Sequence, residues 1–285
     1  MKILWVRYQF LNHLLLILGV AFLALPLWMV FASSTHDPAT IIRDGMQLGL
    51  SDQFFETYSG VLTEKKGFTE QVTASMMMMI NSMILGVGFA VGKIIVSMTA
   101  AYAIVYFRFP LGTLLFWIIF TTLLLPLEVR IIPSYKVVAD LGMLNSYSGL
   151  IIPLIASATG TFYFRQFFRS VPDELLEAAK LDGAGAWKFF IDILLPLSRT
   201  MMAALFIIMF VVGWNQYLWP LLMTTDESYS TIVLGIKSVM QTIDGNRLPE
   251  YNRGFALAIL ALVPPVLIVI LFQRWFIKGL LESDK

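Results

Sequence analysis

The sequence predicts an all-helical, polytopic membrane protein with six transmembrane helices. Two observations carry this. Of 285 residues, 58% are hydrophobic and only 14% charged, with a mean hydropathy of +0.77, where soluble domains are about 45–50% apolar and about 25% charged. The apolar residues also fall into runs of the length that crosses a bilayer, about 20 residues each. The net charge of +1 argues against nucleic acid, which selects clustered basic surface. Cysteine is absent, which excludes a disulfide framework and a thiol nucleophile. His13 and His36 are the only histidines, so a histidine metal site is nearly excluded as well, and neither is assigned a role.

The predicted spans lie near 9–32, 76–106, 112–131, 147–168, 200–223 and 254–277. The first exceeds the h-region of a secretory signal, so it reads as an uncleaved anchor. The second is long enough to tilt or to project past the bilayer. Between them, 36–70 is polar, with "IIRDGMQLGL" and "FFETYSGVL" at weakly helical spacing, and is expected to form short interfacial helices on the outer face. Lysine and arginine bias gives the orientation. With the N-terminus inside, inner segments hold eleven basic residues and the longer outer segments eight, which places both termini in the cytoplasm.

On that orientation the stretch "LLEAAKLDGAGAWKFFIDILLPLSR" (175–199) is a polar insert on the inner face. Asp173 and Glu174 suit the positive end of a helix dipole, and Asp182-Gly183 suits a helix stop. Trp187, Phe189 and Phe190 begin a second short helix, which Pro196 is expected to close. Taken alone, this is either an ordinary loop helix or a docking element.

Glu177-Ala178-Ala179, three residues, Gly183, nine residues, then Ile193-Leu194-Leu195-Pro196 resembles the EAA signature of ABC importer permeases. "LPLEVRIIPSY", "LGMLNSYSGLIIP" and "GWNQYLWPLL" resemble the carbohydrate-uptake branch of that family. Within it, "YFRFPLG", "SATGTFYFRQFF" and "QRWFIKGLLESDK" are similar to second permease subunits of sn-glycerol-3-phosphate importers. The resemblance implies a type I importer permease fold, with a first helix and outer segment over 1–75, a core over 76–277 and a cytoplasmic tail over 278–285. It implies that 169–199 is a cytoplasmic coupling loop seated in a groove of an ATPase subunit. There Glu177 would face a basic residue of the ATPase, Gly183, between Asp182 and Ala184, would supply a sharp turn, and apolar residues would fill the groove. The implied partners are a homologous second permease, two ATPase copies, an extracytoplasmic binding protein and the lipid bilayer of a bacterial cytoplasmic membrane. This chain itself would be non-catalytic and bind no cofactor; ATP and Mg would belong to the ATPases. Cargo would be sn-glycerol 3-phosphate or glycerophosphodiesters, with a sugar or other polyol as the alternative within the class. An ion-coupled transporter is the alternative outside it, although no inverted repeat is visible.

"GVGFAVGKI" (86–94) imitates a phosphate-binding loop, but its glycine spacing is one residue too long and Ile94 replaces the magnesium-binding Ser or Thr. Gly86, Gly88 and Gly92 are expected to permit close helix packing instead. Ionisable groups in a bilayer are costly and usually functional, which makes Lys93, Glu128 and Arg130 pathway candidates. For Lys93 an interhelical ion pair or snorkelling competes; for Glu128 and Arg130, a structural pair does. Asn215 and Gln216 either hydrogen-bond a polyol in transit or belong to an interfacial belt with Trp214 and Tyr217. Met76–Met79 is expected to be adaptable packing.

Overall fold

A computed structural model describes residues 2–63, 75–107, 109–240 and 249–282 of the chain. In chain order the helices are α1 (Lys2–Ser33), α2 (Pro38–Asp44), α3 (Phe54–Thr63), α4 (Ser75–Tyr106), α5 (Gly112–Thr121), α6 (Leu127–Asp140), α7 (Tyr147–Ile151) and α8 (Ala158–Ser170). They continue with α9 (Asp173–Leu181), α10 (Ala186–Phe189), α11 (Leu195–Leu197), α12 (Arg199–Trp214), α13 (Leu218–Met223), α14 (Ile232–Met240) and α15 (Tyr251–Glu282). The described residues contain no strand.

Among the described residues, three helices are long and apolar enough to cross a membrane unaided: α1 from Phe10, α4, and α15 as far as Trp275. Three further spans exist only as bent pairs, so the expected six are reached by counting each pair as one. Here the structure corrects the sequence reading. The run 112–131 is not one helix: it stops at Leu124, and 129–140 leaves at 107°. Pro126 is the cause, since it has no N–H to give and its ring drives Leu125 out of helical space, to φ −90° and ψ 107°. The run 147–168 bends by 50° between Leu154 and Ala158. The run 200–223 ends as a helix at Trp214, and Leu218–Met223 is a separate short helix. The span it belongs to instead draws on 186–197, joined at 72°. The expected tail at 278 continues α15 to Glu282, and 283–285 lie outside the described residues.

The chain forms two compact units. One comprises 1–78 and 232–263. In it α1 is exposed from Phe10 to Trp28, as suits a helix apolar all round. Past Trp28 it gains partners: Trp28 Nε1 donates to the Leu48 carbonyl at 2.9 Å and Ser34 meets the Tyr58 hydroxyl at 3.1 Å. The expected outer helices are α2 and α3; positions 64–70 lie outside the described residues. Met78 packs against Gly235, where any Cβ would fall on its sulfur.

The second unit comprises 79–231 and 264–285. Its apolar core joins Leu85, Ile131, Val138, Leu150, Trp219 and Met223, with Trp219 Nε1 donating to the Leu150 carbonyl at 3.1 Å. The α4 glycines are seats for neighbours, as expected: a Cβ at Gly86 would press on Phe210, at Gly88 on Ile151, and at Gly92 on Ile155. Close approach of this kind holds helices together where lipid gives no hydrophobic drive. On the other side α5 meets α8 through Phe116, Phe120 and Phe162.

Candidate functional site

The loop at 169–199 is a helix–turn–helix. Asp173 and Glu174 occupy the first turn of α9, and Gly183 ends it at φ +72°. The Gly183 N–H donates to the Lys180 carbonyl at 3.0 Å and the Ala184 N–H to that of Ala179 at 2.8 Å. That paired closure needs a left-handed residue, which glycine supplies without a Cβ penalty. Ala179 is buried beneath the helix, while Glu177, Ala178, Asp182 and Pro196 are exposed and Ala184 and Ile193 half-buried. Leu181 and Trp187, 89% and 64% exposed, stand outward on either side of the turn.

The second helix corrects the expectation for Pro196. It closes nothing: α10 runs through a π-helical segment, Phe190–Leu194, into α11, which contains Pro196. Proline at 196 cannot donate to Asp192, and its ring crowds that carbonyl. The chain adopts the wider turn instead, with the Leu195 N–H reaching back to Phe190. The real change of direction comes at Ser198, whose buried hydroxyl donates to the Leu194 carbonyl at 2.7 Å.

Two residues that sequence reasoning missed fix this loop to α4. Tyr102 donates to the Ala186 carbonyl at 2.7 Å and packs its ring 4.9 Å from Phe190. One turn on, Tyr106 donates to the Phe168 carbonyl at 3.3 Å and meets Phe189 at 5.3 Å. The available signal was two tyrosines at helical spacing near a span end, the pattern of an ordinary interfacial belt; their partners lie 62 and 84 residues away.

The polar candidates separate. The break between α7 and α8 leaves carbonyls without helical partners, a state that costs several kcal/mol per group in lipid. Lys93 Nζ donates to the Ala156 carbonyl at 3.2 Å and Ser97, one turn later, to that of Ser157 at 3.2 Å. Lys93 also lies over the Phe89 ring at 4.4 Å, so its contacts are a carbonyl and a π face rather than the expected ion pair or snorkelling. Arg130 stands exposed at the start of α6, close enough for its charge to act on Lys93. Among the described residues it makes no ion pair; the Glu128 side chain lies outside them. Asn215 Nδ2 and Gln216 Nε2 turn back to the Val211 and Val212 carbonyls at 2.9 and 3.2 Å, finishing α12.

Long lipid-compatible helices, spans broken where polar groups converge, and a clasped helix–turn–helix define a membrane transport permease. The chain belongs to the family described as binding-protein-dependent transport system inner membrane components, whose model matches residues 93–282. It is 49% identical over 273 residues to the "sn-glycerol-3-phosphate transport system permease protein UgpE" of Yersinia pestis, with 96% of each chain covered. To the proteins of that name from Brucella melitensis and Rhizobium meliloti it is 48% and 47% identical over 276 residues, again covering 96% of each. In fold it is similar to a chain of a bacterial ABC transporter involved in import of the acidic polysaccharide alginate. That likeness has a TM-score of 0.78 at 20% identity, covering 95% of this chain and 96% of the other.

Proposed function

We propose that this chain is the permease subunit of an ATP-driven importer of sn-glycerol 3-phosphate, working with a homologous permease, two ATPase subunits and an extracytoplasmic binding protein. The reading divides it into an opening helix with its outer segment (1–75), a core (76–277) and a cytoplasmic tail (278–285), with both termini in the cytoplasm. ATP and magnesium belong to the ATPases.

The observation that carries coupling is the loop itself. Leu181 and Trp187 are large apolar side chains left exposed on a segment whose backbone is clasped by Tyr102, Tyr106 and the Gly183 turn. A rigid element presenting exposed apolar groups suits a fixed partner groove. Glu177, exposed beside them, would meet a cation of the ATPase. Closure of the ATPases would then push α9 and, through the tyrosine clasp, swing α4. The cargo is supported by the relatives' names, and by the presence of Lys93 and Arg130 together, a field that favours an anion.

Glu177→Lys and Gly183→Asp should each abolish uptake while the protein stays inserted. The first sets two cations together at a contact partly withdrawn from water; the second forces a side chain into a left-handed turn, a strain of about 1–2 kcal/mol. Uptake of labelled glycerol 3-phosphate and ATPase co-purification are the measurements. Wild-type uptake by both variants would remove the coupling assignment, and uptake of a neutral sugar instead would replace the cargo.

A further inference from the structure

A cavity lined by two arginines lies near the base of the loop. The cavity, about 270 Å³, is walled by Val105 and Tyr106 from the end of α4, Thr113 from the start of α5, Arg165 and Arg169 from the last turns of α8, and Asp173 and Leu176 from α9. A water's share of liquid volume is about 30 Å³, so the space accepts a phosphodiester group with its first atoms on either side.

Its chemistry is unfinished. The Arg165 guanidinium lies over the buried Phe116 ring at 4.0 Å, while its Nε is enclosed and has no hydrogen-bond acceptor among the described residues. Arg169, one turn on, adds a second positive charge near enough to act on the first. Asp173 shares the wall, yet among the described residues neither arginine makes an ion pair. A buried donor left unpaired costs about 1–3 kcal/mol, more for a charged group. The Phe116 ring faces the guanidinium, but among the described residues no acceptor meets Nε, whereas a phosphate oxygen there would. The Thr113 hydroxyl is a further donor on the same wall. Tyr106 is already committed to the Phe168 carbonyl and serves only as wall.

We propose that this cavity seats the phosphate of an anionic phospholipid from the leaflet facing the coupling loop, and that the seated lipid steadies α8 against α9. The shared chemistry is a phosphate oxygen accepting from Arg165 and Arg169. A lipid is favoured over free phosphate because the cavity lies where three helices of membrane-crossing segments end, the level of headgroups. Its lining also includes the apolar Val105 and Leu176, which suit the glycerol end of an acyl chain. Basic pockets between helix ends on the cytoplasmic side are a known form of lipid recognition. The leaflet assignment rests on the orientation proposed above.

The test uses the whole complex. After exchange into phosphatidylcholine, native mass spectrometry reads retained phosphatidylglycerol, and ATP hydrolysis is followed in nanodiscs with and without that lipid. The wild type should retain phosphatidylglycerol and hydrolyse faster in its presence. Arg165→Gln and Arg169→Gln should each retain about fivefold less and lose that response while still holding the ATPase subunits. Equal retention of both lipids by the wild type, or undiminished retention by both variants, would overturn the site. Displacement of the lipid by millimolar inorganic phosphate, with the same stimulation, would assign the cavity to the free anion and overturn the lipid. The wild-type lipid measurement needs no variant to fold. Absence of ATPase subunits from the wild-type complex would count against the coupling reading, and lipid retention by the permease would still be read.

Discussion

At residue scale, what distinguishes the helical core is where side chains are missing. Gly92 has Ile155 against it so closely that any Cβ would collide, and Ile155 belongs to the break whose next two carbonyls are held by Lys93 and Ser97. A side chain at 92 therefore pushes apart two hydrogen bonds as well as a packing contact. Gly92→Val should destabilise by about 1–3 kcal/mol, the usual range for overpacking, seen as a lower unfolding temperature of the detergent-purified protein. Ile155→Ala in the same chain removes the obstructing atoms and should recover most of the loss. If the double variant is as unstable as the sum of the two singles, the contact is not the cause. Lys93 shows how far a single residue can be read from sequence. Its rarity within a span marked it as significant. Its partner could not be foreseen, because the Ala156 carbonyl is free only where the helix breaks, 63 residues further on.

At element scale, hydropathy made the apolar runs legible and left their directions unread. A run of twenty apolar residues satisfies the same criterion whether straight or folded through 107°. Pro126 was visible, but a proline in a span is also compatible with a kink that neighbours repair. Asn215 and Gln216 were open to a pathway role or to an interfacial belt; their side-chain amides turn back to carbonyls four residues earlier, at a helix end that hydropathy did not mark. The turn at Gly183 was legible because Asp-Gly after an amphipathic helix has few other readings. The π-helical segment was not, since it arises from Pro196 acting on the carbonyl four residues earlier. That segment gives a prediction of its own. Pro196→Ala restores a donor and permits an ordinary α turn, which would rotate α10 by about 100° relative to α11. Trp187 would then leave its present position on the loop. Transport should fall severalfold while the thermal stability of the permease changes by less than about 1 kcal/mol. Unchanged transport, with spectroscopic distances showing the segment relaxed, would mean that the π geometry does not aim Trp187.

At the scale of the whole molecule, the loop and the break between α7 and α8 share one carrier, α4. Tyr102 and Tyr106 near one end of it hold the loop, and Lys93, about 14 Å from Tyr102 and about 20 Å from Tyr106 along the helix at about 1.5 Å per residue, faces the broken span. If the loop is the coupling element proposed above, a push on it would reach Lys93 through this one helix, without any need for a chain of small adjustments. Cargo with a phosphate would meet Arg130 exposed at the start of α6, with Lys93 within electrostatic reach and its ammonium spread over Phe89. Two cations close together repel, and a phosphate dianion removes that repulsion as it arrives. A neutral sugar would remove nothing, so a pathway through these two cations would discriminate by charge. Arg130→Gln keeps a polar, hydrogen-bonding side chain, shorter than arginine, and removes the charge and the guanidinium fork. In the complex reconstituted in liposomes with loaded binding protein, it should lower glycerol 3-phosphate uptake roughly tenfold, the loss of one charge-assisted hydrogen bond. ATP hydrolysis stimulated by the binding protein should fall much less, because the loop and its clasp are untouched. Labelled ligand and released phosphate, followed in the same vesicles, separate the two rates. Equal loss of both would indicate a folding or gating defect, loss of neither would show that cargo passes Arg130 without using it, and either result would return this arginine to a structural role.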